Sequence, residues 1–325
     1  MKRSHLILVS FMLMMVSSIG VSATLPGALV DVDWLKANID KVVILDVRKD
    51  VKSYAAKPVF KKDKKTGKLK LVKVAGHIPG AKQVDYGKLR TKRKIGDNEI
   101  TKLLPAKNDF EKFIQSVGLN AGDSVVIVSK GMTNLDMTMS TRLYWSLKYF
   151  GQDNMAILDG GMAQWLKSGG DVSSSVSKVK KGNWVATAER NEILATSNDV
   201  AKAVKDKDVQ LVDTRPISQY IGNYKKSYVY ADGHIPGAKN FPNELLTGPN
   251  GKAKFTSVEK LQKITSALGI DAKASSITYC NSGHLATGSW FLLSEVMGNK
   301  NVKMYDGSMH QWTKEKGETS SMTME

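Results

Sequence analysis

The seven residues "GHIPGAK" occur twice, at 76–82 and again at 233–239. Each copy lies between two other repeated blocks. "VVILDVR" (42–48) precedes the first copy and "VQLVDTR" (209–215) precedes the second. "AILDGGMAQW" (156–165) follows the first, and "KMYDGSMHQW" (303–312) follows the second. Three blocks in one order, with a heptapeptide unchanged, mean that the chain contains one structural unit twice. Whatever the first unit folds into must be built again by the second. The 325 residues suffice for two ordinary domains.

The first unit is placed at 24–170 and the second at 191–325. Between them, "DVSSSVSKVKKGNWVATAER" (171–190) is rich in Ser and Lys and reads as a linker. Each unit alternates short apolar strands with helical segments. "VVILDV", "SVVIVS" and "NMAILD" are strand-like in the first, and "VQLVDT", "SSITYC" and "VKMYD" match them in the second. "NDFEKFIQSVG", "TRLYWSLKYFG", "SVEKLQKITSALG" and "TGSWFLLSEVMG" carry helical patterns. The spacing predicts the α/β class: two domains, each a mostly parallel sheet flanked by helices.

Residues 1–23 follow another pattern. Lys2 and Arg3 precede an apolar run at 6–16, and the small residues Val21, Ser22 and Ala23 close it. The run is shorter than the roughly 20 residues of a membrane span. It reads as a secretory signal peptide cleaved after Ala23, which implies a periplasmic or secreted protein. An uncleaved anchor is the alternative. The net charge of +17 comes mostly from lysine, with no nucleic-acid module pattern. We read it as a solvated surface that favours small anions, with no nucleic-acid partner. The lysine-rich stretch 57–74 is an insertion, because Asp46 and His77 are 31 positions apart but Asp213 and His234 only 21. It reads as a solvated hairpin around "KTGK"; an acidic partner or anionic lipid is the sharper alternative.

Cys280 is the only cysteine. An exported chain would give it no internal partner. A buried, inert thiol is the plain reading of such a residue. Its position argues otherwise. Cys280 ends the strand "SSITY", a tight loop runs to Leu285, and a helix is expected from Ala286 or Thr287. Ligands bind beyond the carboxyl ends of parallel strands, where loop amides and a helix start can cradle an anion. A thiol there is expected to ionise readily and act as a nucleophile.

"LVDTR", "GHIPGA", the strand–Cys–loop–helix and "YDGSMHQW" together resemble the rhodanese family, specifically its tandem-domain thiosulfate sulfurtransferases. The resemblance covers nearly all of residues 24–325. It implies a sulfurtransferase in which Cys280 is catalytic and carries sulfur as a persulfide. A small anionic donor such as thiosulfate would load it, and cyanide, a thiol or a protein sulfur acceptor would unload it, in a ping-pong cycle. No cofactor is implied beyond the covalent persulfide. The first domain is expected to be structural. Substrate-binding positions implied are Asn281, Ser282, Gly283, His284 and Leu285 in the loop. Gln219 joins them, at a place where the family often has arginine. Asn281 and Ser282 also stand where well-known members carry basic residues. The cradle is therefore expected to hold few fixed cations, with His284 or Lys225, Lys226 and Lys239 taking that part. Mercaptopyruvate, whose carboxylate is expected to want an arginine, fits less well than thiosulfate. His284 is open between loop donor, proton shuttle and substrate contact.

In the first copy Ser129 aligns with Cys280. "KGMTNLDMTMS" reads as a longer, thiol-free loop, since Ser129 and Trp165 are 36 positions apart and Cys280 and Trp312 are 32. His77 and His234 stand in both copies and read as structural. So do the pairs Asp46–Arg48 and Asp213–Arg215. Trp165, Trp312, Trp290 and Phe291 read as core. One cysteine and five scattered histidines offer no metal-ligand spacing. Two other functions stay in view: a sulfur or selenium carrier serving a dedicated partner, and an anion-binding module without chemistry. A phosphatase would need a longer loop than "CNSGHLA" and an arginine at its end.

Overall fold

The computed structural model describes residues 23–248 and 253–322. The proposed leader lies outside the described residues, apart from Ala23. The backbone N–H of Ala23 donates to Ser124 Oγ at 2.9 Å.

The strands of the first half are β1 (Leu29–Val30), β2 (Val43–Arg48), β3 (Val59–Lys62), β4 (Leu69–Lys73), β5 (Lys82–Asp85), β6 (Thr91–Ile95), β7 (Asn98–Leu103), β8 (Val125–Val128) and β9 (Met155–Leu158). Those of the second half are β10 (Leu194–Ala195), β11 (Gln210–Asp213), β12 (Lys239–Asn240), β13 (Ser276–Tyr279) and β14 (Val302–Tyr305). Two parallel sheets result, ordered β1-β9-β8-β2-β5 and β10-β14-β13-β11-β12. The orders are the same when each strand is replaced by its repeat equivalent. β8, β9 and β13 are buried along their whole length, as strands covered on both faces must be.

The repeated histidines and ion pairs hold each unit together. Arg48 bonds Asp46 and the carbonyl of Gly76, and Arg215 bonds Asp213 and the carbonyl of Gly233. His77 stacks on Tyr54 and bonds its carbonyl; His234 does the same with Tyr220. Trp165 and Trp312 are buried, and each donates its ring N–H to a carbonyl beyond its helix, of Asp171 and Glu318.

Three details go beyond or against the sequence reading. First, the linker 171–190 packs on the first domain. Its Trp184 is buried and donates to Gln152 Oε1 at 3.0 Å, and Gly182 N–H donates to Gln115 O at 2.8 Å. Second, "KGMTNLDMTMS" is mostly helix. Thr133 and Asp136 form a capping box that starts the helix Asn134–Tyr149, so the loop after Ser129 is short. Third, a hairpin of β6 and β7 went unread. The lysine-rich insertion is a hairpin as expected, of β3 and β4.

The two domains share one core. Tyr144, Trp145 and Phe150 of the first belong to the same apolar cluster as Trp290, Phe291 and Leu292 of the second. The helix after Ser129 packs on its repeat equivalent after Cys280. Thr141 and Thr287 meet there, hydroxyl to hydroxyl, at 2.9 Å. Gly288 is required at this crossing, because a Cβ would lie 2.6 Å from Leu246 Cδ1 and 2.9 Å from Thr138 Cγ2.

Candidate active site

Cys280 is the first residue beyond β13. It sits in the same backbone frame as Ser129, which validates the repeat alignment at atomic level. Met162 N–H donates to Ser129 O at 2.8 Å, and Met309 N–H to Cys280 O at 3.0 Å. Ala163 N–H donates to Lys130 O, and His310 N–H to Asn281 O, both at 2.9 Å. Ser129 Oγ is buried against Met137 Sδ at 3.6 Å, and among the described residues no base bonds it.

The repeats differ at one informative residue. Gly161, at φ +55, is replaced by Ser308, at φ +50. A non-glycine residue in this left-handed region is strained by about 1–3 kcal/mol unless its surroundings hold it there. Here the surroundings are the loop itself. Ser308 Oγ accepts the N–H of Cys280 and the N–H of Gly283, each at 3.1 Å, and donates to Tyr305 O at 2.8 Å. Ser308 thus closes residues 280–283 into a ring. Among the described residues, no acceptor faces the N–H of Asn281, Ser282, His284 or Leu285. Those donors remain for an anion at the Cys280 sulfur.

The other side chains of the loop are positioned from outside it. Asn281 Nδ2 donates to Gln219 Oε1 at 2.7 Å, and Asn281 Oδ1 is buried without a partner. Gln219 therefore holds Asn281. Gly283, at φ +67, accepts a hydrogen bond at its carbonyl from Arg142 Nη1 at 2.9 Å. Arg142 also pairs with Asp306, whose second oxygen accepts Leu104 N–H at 2.6 Å. The side chain of Ser282 is buried. Leu285 packs on the shared core. A helix begins at Ala286, where the sequence placed it, and widens into a π-helix at Phe291–Val296.

A family model for the rhodanese-like domain matches residues 31–168 and 196–315. The chain belongs to the rhodanese family. The sulfur carrier protein TtuD of Thermus thermophilus is 27% identical over 298 residues, covering 88% of this chain and 94% of that protein. A Mycolicibacterium smegmatis protein, provisionally named a thiosulfate sulfurtransferase, is 29% identical over 293 residues, covering 88% and 93%. The fold matches the rhodanese fold of SseA from Escherichia coli, a 3-mercaptopyruvate sulfotransferase. The TM-score is 0.68 at 24% identity, over 87% of this chain and 98% of that one. Sulfur transfer is the activity these relatives have in common by name.

The geometry adds two features to the sequence reading of the rhodanese site. The first domain reaches the loop of the second. Arg142 and Thr138, both on the helix Asn134–Tyr149, touch Gly283 and His284 directly. Two further cations of the first domain approach the second-domain site through aromatic rings: Arg90 lies over Tyr86, whose ring is 5.0 Å from that of His284, and Lys102 lies over Tyr228. Of the cations expected from the sequence, Lys225 is paired with Asp232 at 3.2 Å. Lys239 bonds Gln210 and Gly269, at the opposite end of the sheet from Cys280.

His284 is not a cation either. Burial first, and then the charges of Arg90 and Arg142, push its imidazole down to about 3. Thr138 donates its own proton to Leu135 O at 3.0 Å, so its oxygen accepts from His284 Nε2 at 3.0 Å. Burial thus disfavours the charged ring, and Nε2 is the nitrogen that faces Thr138. The sign of the linkage is fixed by this depression. Between about pH 6.5 and 3 the unfolded chain binds the proton and the native one does not, so native stability falls as pH drops through that window. Urea unfolding at pH 7 and pH 4.5 should show a smaller acid loss for His284→Gln than for the wild type. Equal losses would contradict a buried neutral His284.

Sequence reading missed Ser308, Asp306, Arg142 and Thr138. Ser308 alone left a trace: it is the difference between "DGGM" and "DGSM" in otherwise matching blocks.

Proposed function

We propose that this rhodanese moves a sulfane sulfur from a small anionic donor such as thiosulfate to cyanide or a thiol, through a persulfide on Cys280. One observation carries the reading. The lone thiol ends a central strand inside a loop whose backbone donors are held open by Ser308, and its first-domain counterpart has neither the thiol nor that serine. In the first half-reaction the Cys280 thiolate attacks the outer sulfur of thiosulfate. The Sγ–S bond forms, the bond to the sulfonate sulfur breaks, and sulfite leaves with the electron pair. In the second, cyanide attacks the outer sulfur, the S–S bond breaks, thiocyanate leaves and the thiolate returns. The open amides would hold the thiolate and the persulfide anion alike.

The proposal includes export, for which residues 1–23 are the support. Initial rates with thiosulfate and cyanide varied together should give parallel reciprocal plots, as a ping-pong cycle requires. Intersecting plots would exclude an enzyme-bound sulfur. A second reading has its own support in the likeness to a sulfur carrier protein. Cys280 is only 1% exposed, which would shield a stored persulfide. Stable loading with little cyanide turnover, and release to one dedicated protein, would favour the carrier.

A further inference from the structure

The hairpin of β3 and β4 takes no part in the chemistry at Cys280. The fold does not need it either: among the described residues, no strand lies between β11 and β12, yet the second sheet closes in the same order. Of the nine residues in β3 and β4, only Leu71 is buried. It joins the core of the first domain and anchors a ribbon that would be marginal alone.

The charge on this ribbon is one-sided. Residues 57–74 hold eight lysines and one carboxylate, Asp63. The eight lysines are all exposed. Asp63 is occupied within the turn, where its Oδ1 accepts the N–H groups of Lys65 and Thr66 and the hydroxyl of Thr66. Among the described residues, no carboxylate forms an ion pair with any of these lysines. Lys61 and Lys70 stand directly opposite each other across the ribbon. Like charges so placed weaken an antiparallel pair. The hairpin is therefore built against its own stability.

Apolar side chains lie among the lysines. Leu69 is 74% exposed, Val72 46% and Phe60 39%. Leu69 and Leu71 share one face of β4, and Phe60 is opposite Leu71. The face that enters the core at Leu71 thus runs out to Leu69 at the tip, beside the turn. A ribbon that met only water would carry polar residues there.

We propose that the β3–β4 hairpin docks on a bilayer of anionic lipid, with Leu69 and Phe60 entering the headgroup boundary and the lysines meeting lipid phosphates. This partner lies beyond sulfur transfer and does not depend on it. Lysine, not arginine, fills all eight cationic places. Arginine suits fixed, bidentate recognition of carboxylates on a folded partner, whereas flexible lysine stems suit a fluid layer of phosphates. The apolar tip adds a contact that a solvated acidic chain does not offer. Charge and apolar area together favour lipid over an acidic protein.

The test is cosedimentation of residues 23–325, which hold every described element, with lipid vesicles. Omitting 1–22 keeps the apolar run at 6–16 from adding lipid affinity of its own. Phosphatidylcholine vesicles should bind little. Vesicles with about one third phosphatidylglycerol should bind well, at about fivefold in affinity per lysine at the surface. Lys70→Glu changes the charge by two and should weaken binding about 30-fold. It should also raise the urea midpoint, because the new carboxylate faces Lys61. Lys202→Glu, on the second-domain helix Ser197–Asp206, makes the same change in net charge. It should bind within about twofold of wild type in about 0.1 M salt, where distant charges are screened. Leu69→Ser keeps the charge and should weaken binding about tenfold. Equal binding to both kinds of vesicle would overturn the docking surface. So would an equal loss in Lys202→Glu, or a Lys70→Glu variant that loses stability together with binding. Full binding by Leu69→Ser, with soluble polyglutamate displacing the vesicles, would make the partner an acidic protein and overturn the bilayer.

Discussion

Gly283→Ala should lower the rate of sulfur loading at Cys280 by about 100-fold or more, the usual scale for a misplacement of about 1 Å. Two effects act at once. Gly283 stands at φ +67, which a Cβ disfavours. The new Cβ would also lie 2.3 Å from Asp306 Oδ1, and 2.8 Å from both Arg142 Nη1 and Asp306 O. Asp306 cannot step back, because Arg142 and the N–H of Leu104 hold both its oxygens. The loop must move instead, and its amides move with it. Gly237→Ala separates the two effects. Gly237 has φ +78 but nothing within 4 Å of its Cβ position, so it should lose about 1 kcal/mol and keep full activity. Loading rates that are alike in the two variants would contradict this account of Gly283.

Arg142→Met should destabilise the protein by about 3–5 kcal/mol in urea unfolding, the scale for breaking a buried ion pair. Arg142 is fully buried, and Asp306 is 6% exposed. Removing the guanidinium leaves a carboxylate without its counter-ion at the domain boundary and frees the carbonyl of Gly283. The double variant Arg142→Met with Asp306→Asn should recover part of the loss, since the stranded charge is gone. Arg142 Nε and Nη2 are buried without partners, so the pair is incompletely satisfied even in the native protein. That raises the share of stability carried by the Asp306 contact. A loss below about 1 kcal/mol would mean that the pair is weak, as surface pairs are.

The repeat made most of the fold legible. Matching blocks in one order predicted two parallel sheets, and their strand orders coincide. Cys280, its loop and the helix start at Ala286 were also legible, because punctuation by Ser and Gly after a β-prone run is local chemistry. What the sequence hid depends on contacts far along the chain. Arg142 is 141 positions from Gly283, and Lys102 is more than a hundred from Tyr228. No local pattern marks such partners. The longer-loop reading after Ser129 failed for a nearer reason. Thr133 and Asp136 fit a capping box, but "TNLDMTMS" is polar enough to pass for a loop. Gln219 was read as a substrate contact because it holds an arginine's place; its bond to Asn281 Nδ2, 62 positions away, left no local mark.

The central claim is that Cys280 carries the sulfur. Intact mass of the protein before and after thiosulfate, beside Cys280→Ser, tests it most directly. The account predicts that the wild type alone gains the mass of one sulfur atom, and that cyanide removes it as thiocyanate. A wild type that gains nothing from thiosulfate, mercaptopyruvate or polysulfide, or a Cys280→Ser variant that gains as much, would contradict it.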